Sequence, residues 1–284
     1  MSEQDALTRF LPEEIEAFSP TMKVGLVATL NPDGLPHLTL IASLQANSPT
    51  QMIWGQFVEG LSKEYVQLDP KVGFLIMTLD RQLWRGKATF THIATQGPEF
   101  EMYNNTPMFR YNAYFGVHTV FFLDLVGHTG RQPLPMSRVV FAAIQTMIAR
   151  AVSSGRGQPP VLNLWTQQLM NKLDNLKFLA YAGPDGYPVI VPVIQAMAAD
   201  SERIIYSTSA FGDDLAAVPQ GATVAVFCMS LQMEDVLMRG EYLGLQRVAG
   251  IRCGSVRVNW VYNPMPPKPQ QIYPPVRVEP VTSF

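Results

Sequence analysis

The phrase Pro-Asp-Gly-x-Pro occurs twice in this chain and constrains its fold more than any other feature. The first copy is Pro32-Asp33-Gly34-Leu35-Pro36 and the second is Pro184-Asp185-Gly186-Tyr187-Pro188. Apolar runs flank both: Val24 to Leu30 and Leu38 to Leu44, then Leu176 to Tyr181 and Val189 to Met197. Glycine accepts a positive φ and Asp bonds nearby backbone, so each copy reads as a turn between two strands. Asp33 and Asp185 stand 152 residues apart, and Arg85-Gly86 and Arg239-Gly240 stand 154 apart. A near-constant offset over several elements indicates an internal duplication.

Each copy carries the same further elements. Around the first, Leu11-Pro12-Glu13-Glu14 opens a short helix, with Pro at a position that needs no N–H. Met52 to Phe57, Val72 to Leu79, Leu83 to Ile93 and Val117 to Val126 read as strands. Gly86 marks a bulge or a close backbone approach. Gly60 to Leu68 has helical spacing, and Gly97-Pro98-Glu99 opens another helix. Around the second, Arg203 to Thr208, Thr223 to Met229, Asp235 to Leu245 and Gly254 to Tyr262 read as strands, with a short helix at Gly212 to Val218. The middle is helical. Ser137 caps a helix over Arg138 to Ala151 whose apolar face (Val140, Phe141, Ile144, Met147, Ile148, Ala151) is expected to pack between the two halves. A second helix covers Asn163 to Asp174 and packs through Leu164, Leu169, Met170 and Leu173. Closely spaced antiparallel strands close into barrels, because closure removes exposed edges. The expected fold is therefore mainly β with helices: two tandem split β-barrels of Greek-key type. The boundaries are 1–131 for the first barrel, 132–175 for a helical connector, 176–263 for the second barrel and 264–284 for a proline-rich tail.

The 284 residues suit one large domain or two ordinary ones. A net charge of -2 and no basic patch make nucleic acid a poor partner. No run approaches the roughly 18 apolar residues that span a bilayer. The acidic start Met1 to Asp5 lacks the pattern of a secretory leader, and a cytoplasmic protein is expected. Cys228 and Cys253 have no metal spacing and read as two thiols. His37, His92, His118 and His128 are scattered and show no metal pair.

The order strand, Asp-Gly turn, strand, strand, helix with Ser-Lys, strand, Gly-containing strand resembles the FMN-binding split barrels. These include pyridoxamine 5′-phosphate oxidase and small bacterial FMN-binding proteins. The residues carrying the match are Asp33 to Thr39, Gly60 to Glu64, Asp69 to Val72, Trp84 to Ala88 and Gly97 to Glu101. The resemblance implies FMN as cofactor. It places Thr39, Leu40, Ile41, Ala42 and Ser43 along the isoalloxazine, with Gln56, Phe57 and Val58 at the end of the next strand. Ser62 and Lys63 would grip the phosphate, at a helix start whose N–H groups and dipole favour an anion. Many family members add an Arg on the strand after the turn. This chain has no basic residue on that strand, so Arg81, Arg85 or Lys87 would compensate, or binding would be weaker. Arg85 and Arg239 recur in both copies, which favours a structural role for the pair. Trp54, Trp84 and Phe57 are expected in the core rather than against a flavin.

In the second copy the place of Ser62-Lys63 falls at Phe211-Gly212-Asp213-Asp214, where two carboxylates would repel a phosphate. One FMN per chain is expected, in the first barrel. The flavin would lie either between the two repeats or between the first barrels of a homodimer. The implied activity is flavin-dependent oxidoreduction, from a reduced nicotinamide or a protein donor to a small-molecule acceptor. The alternatives are a non-catalytic flavin or electron-transfer module, a barrel without FMN, or one holding haem or a deazaflavin. Pyridoxamine phosphate oxidation itself is not expected, since no second basic phosphate site is visible.

Overall fold

A computed structural model describes residues 6–58, 60–107, 116–153, 155, 159–265 and 269–277. The chain is mainly β with helices and divides into two compact units. The first unit holds residues 1–134 with 182–190, and the second holds 135–181 with 191–284.

In the first unit the order is α1 (Pro12–Phe18), β1 (Val24–Leu30), β2 (Pro36–Leu40), β3 (Gln45–Ser48), β4 (Gln51–Gln56), α2 (Leu61–Leu68), β5 (Lys71–Met77), β6 (Gln82–Ala94), α3 (Pro98–Asn105), β7 (Thr119–His128) and β8 (Gln132–Pro133). The hydrogen-bonded path runs β2-β1-β5-β6-β7-β4-β3, with β8 paired to β6. The sheet curls round one core: Val27, Ala46, Met52, Trp54, Val72, Phe74, Ile76, Trp84, Phe121 and Leu123 come from six strands of the path. Such a curled, unclosed antiparallel path is a split barrel. Helix α1 closes one end through Glu14. The Leu11 N–H donates to Glu14 Oε2 at 2.9 Å and the buried Trp84 Nε1 donates to Glu14 Oε1 at 2.8 Å. Both sequence-expected tryptophans of this barrel, Trp54 and Trp84, are buried.

The second unit comprises α4 (Met136–Ser153), α5 (Leu164–Asn171), β9 (Leu176–Ala182), β10 (Pro188–Pro192), β11 (Met197–Ala198), β12 (Arg203–Ser207), α6 (Gly212–Ala216), β13 (Thr223–Met229), β14 (Asp235–Val248), β15 (Ile251–Asn263) and β16 (Gln270–Tyr273). The turn segment 182–190 between β9 and β10 is grouped with the first unit. Its path, β10-β9-β13-β14-β15-β12-β11, repeats the first strand for strand, and β16 pairs with β15. The glycine pair recurs as well. A Cβ on Gly86 would lie 2.4 Å from Gly127 O, and one on Gly240 would lie 2.0 Å from Arg257 O. Register shifts fall beside both, between Lys87 and Ala88 and between Arg239 and Gly240. These are close backbone approaches, which only glycine permits.

The units differ in what covers one sheet face. In the first, α3 sets Tyr103 against Ile53, Val117, Val120 and Phe122. In the second, β14 and β15 are joined by the tight turn at Ala249-Gly250. Helix α4 supplies the cover instead, with Ala149 against Ile205 and Cys253.

Several local expectations are corrected. Ser137 lies inside α4, not before it. Residues 38–44 are not one strand: β2 ends at Leu40 and the chain turns into β3, which takes up Asn47 and Ser48. Ser43 forces this break, since its Oγ donates to Gly55 O at 2.8 Å and accepts from Gly55 N at 3.1 Å. Residues 189–197 likewise split into β10 and β11. In α5 the Asn163 side chain caps the Thr166 N–H at 2.8 Å, and only Leu169 and Met170 of the four expected apolar contacts are buried. Leu164 and Leu173 are exposed. The largest correction concerns α4. It is buried through Val139, Ala142, Thr146 and Ala149, whereas Val140, Phe141, Ile144, Met147 and Ile148 are about half exposed. Small residues win the inward face because they let the helix lie close to β12 and β15. Of the proline-rich tail, the described part adds β16; residues 266–268 and 278–284 lie outside the described residues.

Candidate functional site

The resemblance puts eleven residues at the site, and the sheet register sorts them. Val27 pairs with Thr39 and with Phe74, and Phe74 pairs with Gly86, so Thr39 shares the barrel-core face. Leu26 pairs with Leu40 and with Leu75, and Leu75 pairs with Arg85. Directly opposed antiparallel residues point to the same face. Leu40 and Arg85 therefore occupy the outer face, opposite Thr39.

Thr39, Ser62, Lys63 and Val58 come together where α2 begins. The Ser62 hydroxyl, fully buried, shares a short hydrogen bond with the Thr39 hydroxyl. Lys63 Nζ donates to Val58 O at 2.9 Å. Burial pushes the Lys63 ammonium down to about 8. No side chain caps α2; its N-cap is Gly60, in extended conformation at φ 177°. The first-turn N–H groups of a helix need partners from outside it. Two hydroxyls, a desolvated ammonium and an uncapped helix start thus converge. That donor set matches a phosphate in charge and in hydrogen-bonding sense.

The remaining candidates fall elsewhere. Ile41 belongs to the barrel core. Ser43 spends its hydroxyl on Gly55, and its carbonyl accepts from Tyr103 Oη at 2.7 Å. Ala42 O accepts from Lys23 Nζ at 3.3 Å, and Lys23, also lowered to about 8 by burial, is further held by Pro20 O at 2.8 Å. Gln56 is buried, and Phe57 packs on the cluster around Tyr103. Val58, already placed beside Lys63, is exposed.

Of the three basic residues expected to replace the missing arginine, Lys87 forms an ion pair with Asp185, within the first unit. Lys71 Nζ donates to Asp185 O at 3.1 Å, and both lysines lie over the Tyr187 ring. Partial burial opposes the charge on Asp185, but the Lys87 and Tyr187 N–H hydrogen bonds outweigh it and hold the carboxyl below its usual range. Lys87 is thereby engaged. Arg81 sits in a turn at φ 62°, and Arg85 lies across the sheet from Thr39.

Two contributors had not been assigned to the site. His37, two residues before Thr39 on the same face, is buried edge-on against Tyr65 of α2, with ring centroids 5.5 Å apart. Tyr65 lies one helical turn beyond Ser62. The i, i+2 spacing on the strand and the i, i+3 spacing on the helix were the available signals. Together the two contacts fasten α2 to β2 and fix the Ser62-Lys63 start.

In the second unit the equivalent helix, α6, carries Asp213 and Asp214 in its first turn, after Phe211 in a left-handed conformation at φ 55°. The helix's own carboxylates occupy the positive end of its dipole. The recurring Arg239 stacks 3.6 Å above the Trp260 ring, a packing role.

No family model matches the chain, and no curated protein does. Solved structures are similar to parts of it. HupZ from Group A Streptococcus aligns at 15% identity over 42% of this chain and 91% of its own, with a TM-score of 0.35. An FMN-binding protein from Syntrophomonas wolfei aligns at 13% identity over 42% of this chain and 83% of its own, with a TM-score of 0.36. A structure titled F420 reductase aligns at 14% identity over 42% of this chain and 98% of its own, with a TM-score of 0.33.

Proposed function

We propose that the first unit binds FMN and that the protein is a flavin-dependent oxidoreductase, taking electrons from a reduced nicotinamide or a protein donor. One observation carries the reading: the buried Ser62 hydroxyl tied to Thr39, beside the desolvated Lys63, at an uncapped helix start. In this reading Lys63 supplies the charge that meets the phosphate. Ser62 and Thr39 would orient it, and first-turn N–H groups of α2 other than that of Lys63, which donates to Gly60 O at 3.0 Å, would complete its hydrogen bonds. Val58, exposed beside Lys63, would adjoin the ring system. A bound flavin supplies the redox chemistry, so the chain needs only to position it and exclude water.

The test is optical. Freshly purified protein is scanned for a flavin, deazaflavin or haem spectrum and then titrated with FMN and, separately, with riboflavin. FMN is expected to bind at least tenfold tighter than riboflavin, which lacks the phosphate. Lys63→Glu is expected to abolish FMN binding and Asp213→Ala to leave it within twofold. Equal loss in both variants, or a colourless protein that takes up no FMN, sinks the proposal. Oxidation of a reduced nicotinamide by the loaded protein separates an enzyme from a passive flavin carrier.

A further inference from the structure

Helix α4 presents to solvent a face built only of apolar side chains. From residue 140 to 152 its exposed positions are Val140, Phe141, Ile144, Met147, Ile148, Ala151 and Val152. The helix has no acidic residue. Its arginines, Arg138 and Arg150, stand outside or beside this face, and Arg150 Nε is engaged with Ala198 O at 2.9 Å. Single exposed hydrophobics are ordinary, but a continuous uncharged stripe marks a contact surface.

The spacing identifies what fits it. Positions 140 and 147, 141 and 148, and 144 and 151 are each seven apart, the repeat by which one helix packs against another. The stripe is also complementary to itself. In an antiparallel pair related by a twofold axis between residues 145 and 146, Ile144 lies opposite Met147 of the second copy and Val140 lies opposite Ala151, with Phe141 and Ile148 flanking the contact along one edge. Large meets large at one position and large meets small at the other, and each contact occurs twice, as an isologous interface requires. Six large side chains about half exposed offer on the order of 500 Å² per copy. Two copies reach about 1,000 Å², the lower bound for a specific interface. A lipid surface fits less well. Membrane-surface helices carry Lys and Arg on a solvated polar face, whereas the opposite face of α4 is packed on its own sheet through Val139, Ala142 and Ala149.

We infer that α4 is a self-association surface, through which two copies of this chain pair as an antiparallel, two-stranded helical contact. This does not depend on the flavin reading.

Sedimentation velocity on the full chain over a concentration series tests it. A monomer–dimer equilibrium is expected, and Ile144→Glu is expected to weaken it at least 100-fold with an unchanged circular dichroism spectrum. Should that variant misfold, cysteine pairing decides, since Cys228 and Cys253 are buried. Met147→Cys, beside the axis, is expected to form an intermolecular disulfide on oxidation. Val152→Cys, separated from its symmetry mate by roughly 20 Å of helix, is not. A chain monomeric at all concentrations overturns the inference. So does a dimer indifferent to Ile144→Glu, or crosslinking through Val152→Cys alone. Flotation with neutral or anionic phospholipid vesicles that Ile144→Glu abolishes, without dimer, would assign the face to a lipid surface instead.

Discussion

Lys63 offers the sharpest separation between a binding role and a structural one, because the two predict opposite effects on stability. Replace it with methionine, which keeps most of the chain length and removes the charge. Burial holds the Lys63 ammonium at about 8 rather than 10.5. The folded protein therefore disfavours the charged form by roughly 3 kcal/mol. Below about pH 8 the side chain is charged both folded and unfolded, and the folded state bears the whole cost. Between about 8 and 10.5 the folded state sheds its proton first, so stability rises with pH. Above that range the side chain is neutral in both states and the cost is gone. Lys63→Met is thus expected to stabilise the ligand-free protein at pH 7 by about 1–3 kcal/mol, allowing for relaxation and for the lost hydrogen bond to Val58. The same change removes a charge-assisted contact worth about 1.5–3 kcal/mol, so the FMN dissociation constant should rise roughly 10- to 150-fold. Urea denaturation of the ligand-free protein and fluorescence titration with FMN read the two effects separately. A variant that is less stable and binds FMN as well as wild type would refute the reasoning. Lys63 would then be a tether for the Val58 carbonyl and nothing more.

Other expectations follow from single contacts. Gly86→Ala and Gly240→Ala each drive a Cβ into a carbonyl oxygen and should cost about 1–3 kcal/mol; unchanged denaturation midpoints would show that the strands give way there. Asp235 is pushed up to about 7 by burial, and its Oδ1 lacks a hydrogen-bond partner. A carboxyl raised in the folded state contributes stability that is full below its unfolded value and lost as pH rises through about 7. The wild type should therefore lose stability between about pH 4 and 7 relative to Asp235→Asn. Parallel pH profiles for the two proteins in thermal unfolding would contradict this.

Much of the architecture was legible because its causes are local. The two Asp-Gly turns need glycine at positive φ, and Gly34 and Gly186 have it. Continuous apolar runs such as Val24–Leu30 and Thr223–Met229 are buried strands with the bounds their composition suggests. The repeated offset announced two equivalent sheets. The helix start at Ser62-Lys63 was visible as well, since helix termini have a chemical signature. What a given side chain does with its neighbours was not visible. Ser43 and Thr39 are both hydroxyl residues just after one turn. One serves β4 and the other serves α2, and only the break after Leu40 decides which.

The sequence by itself thus determined the duplication, most of the strands of each copy and the contrast between Ser62-Lys63 and Asp213-Asp214. Those rest on short-range periodicity, turn chemistry and charge. Tertiary structure alone decided that Lys87 is spent on Asp185, that His37 and Tyr65 brace α2, and that α4 turns its small residues inward. Each depends on which residues, distant along the chain, meet in space. For α4 the reason is steric. A close approach to the sheet favours Ala142, Thr146 and Ala149 over Phe141 and Ile144, so the more apolar face of the helix is the one left in solvent.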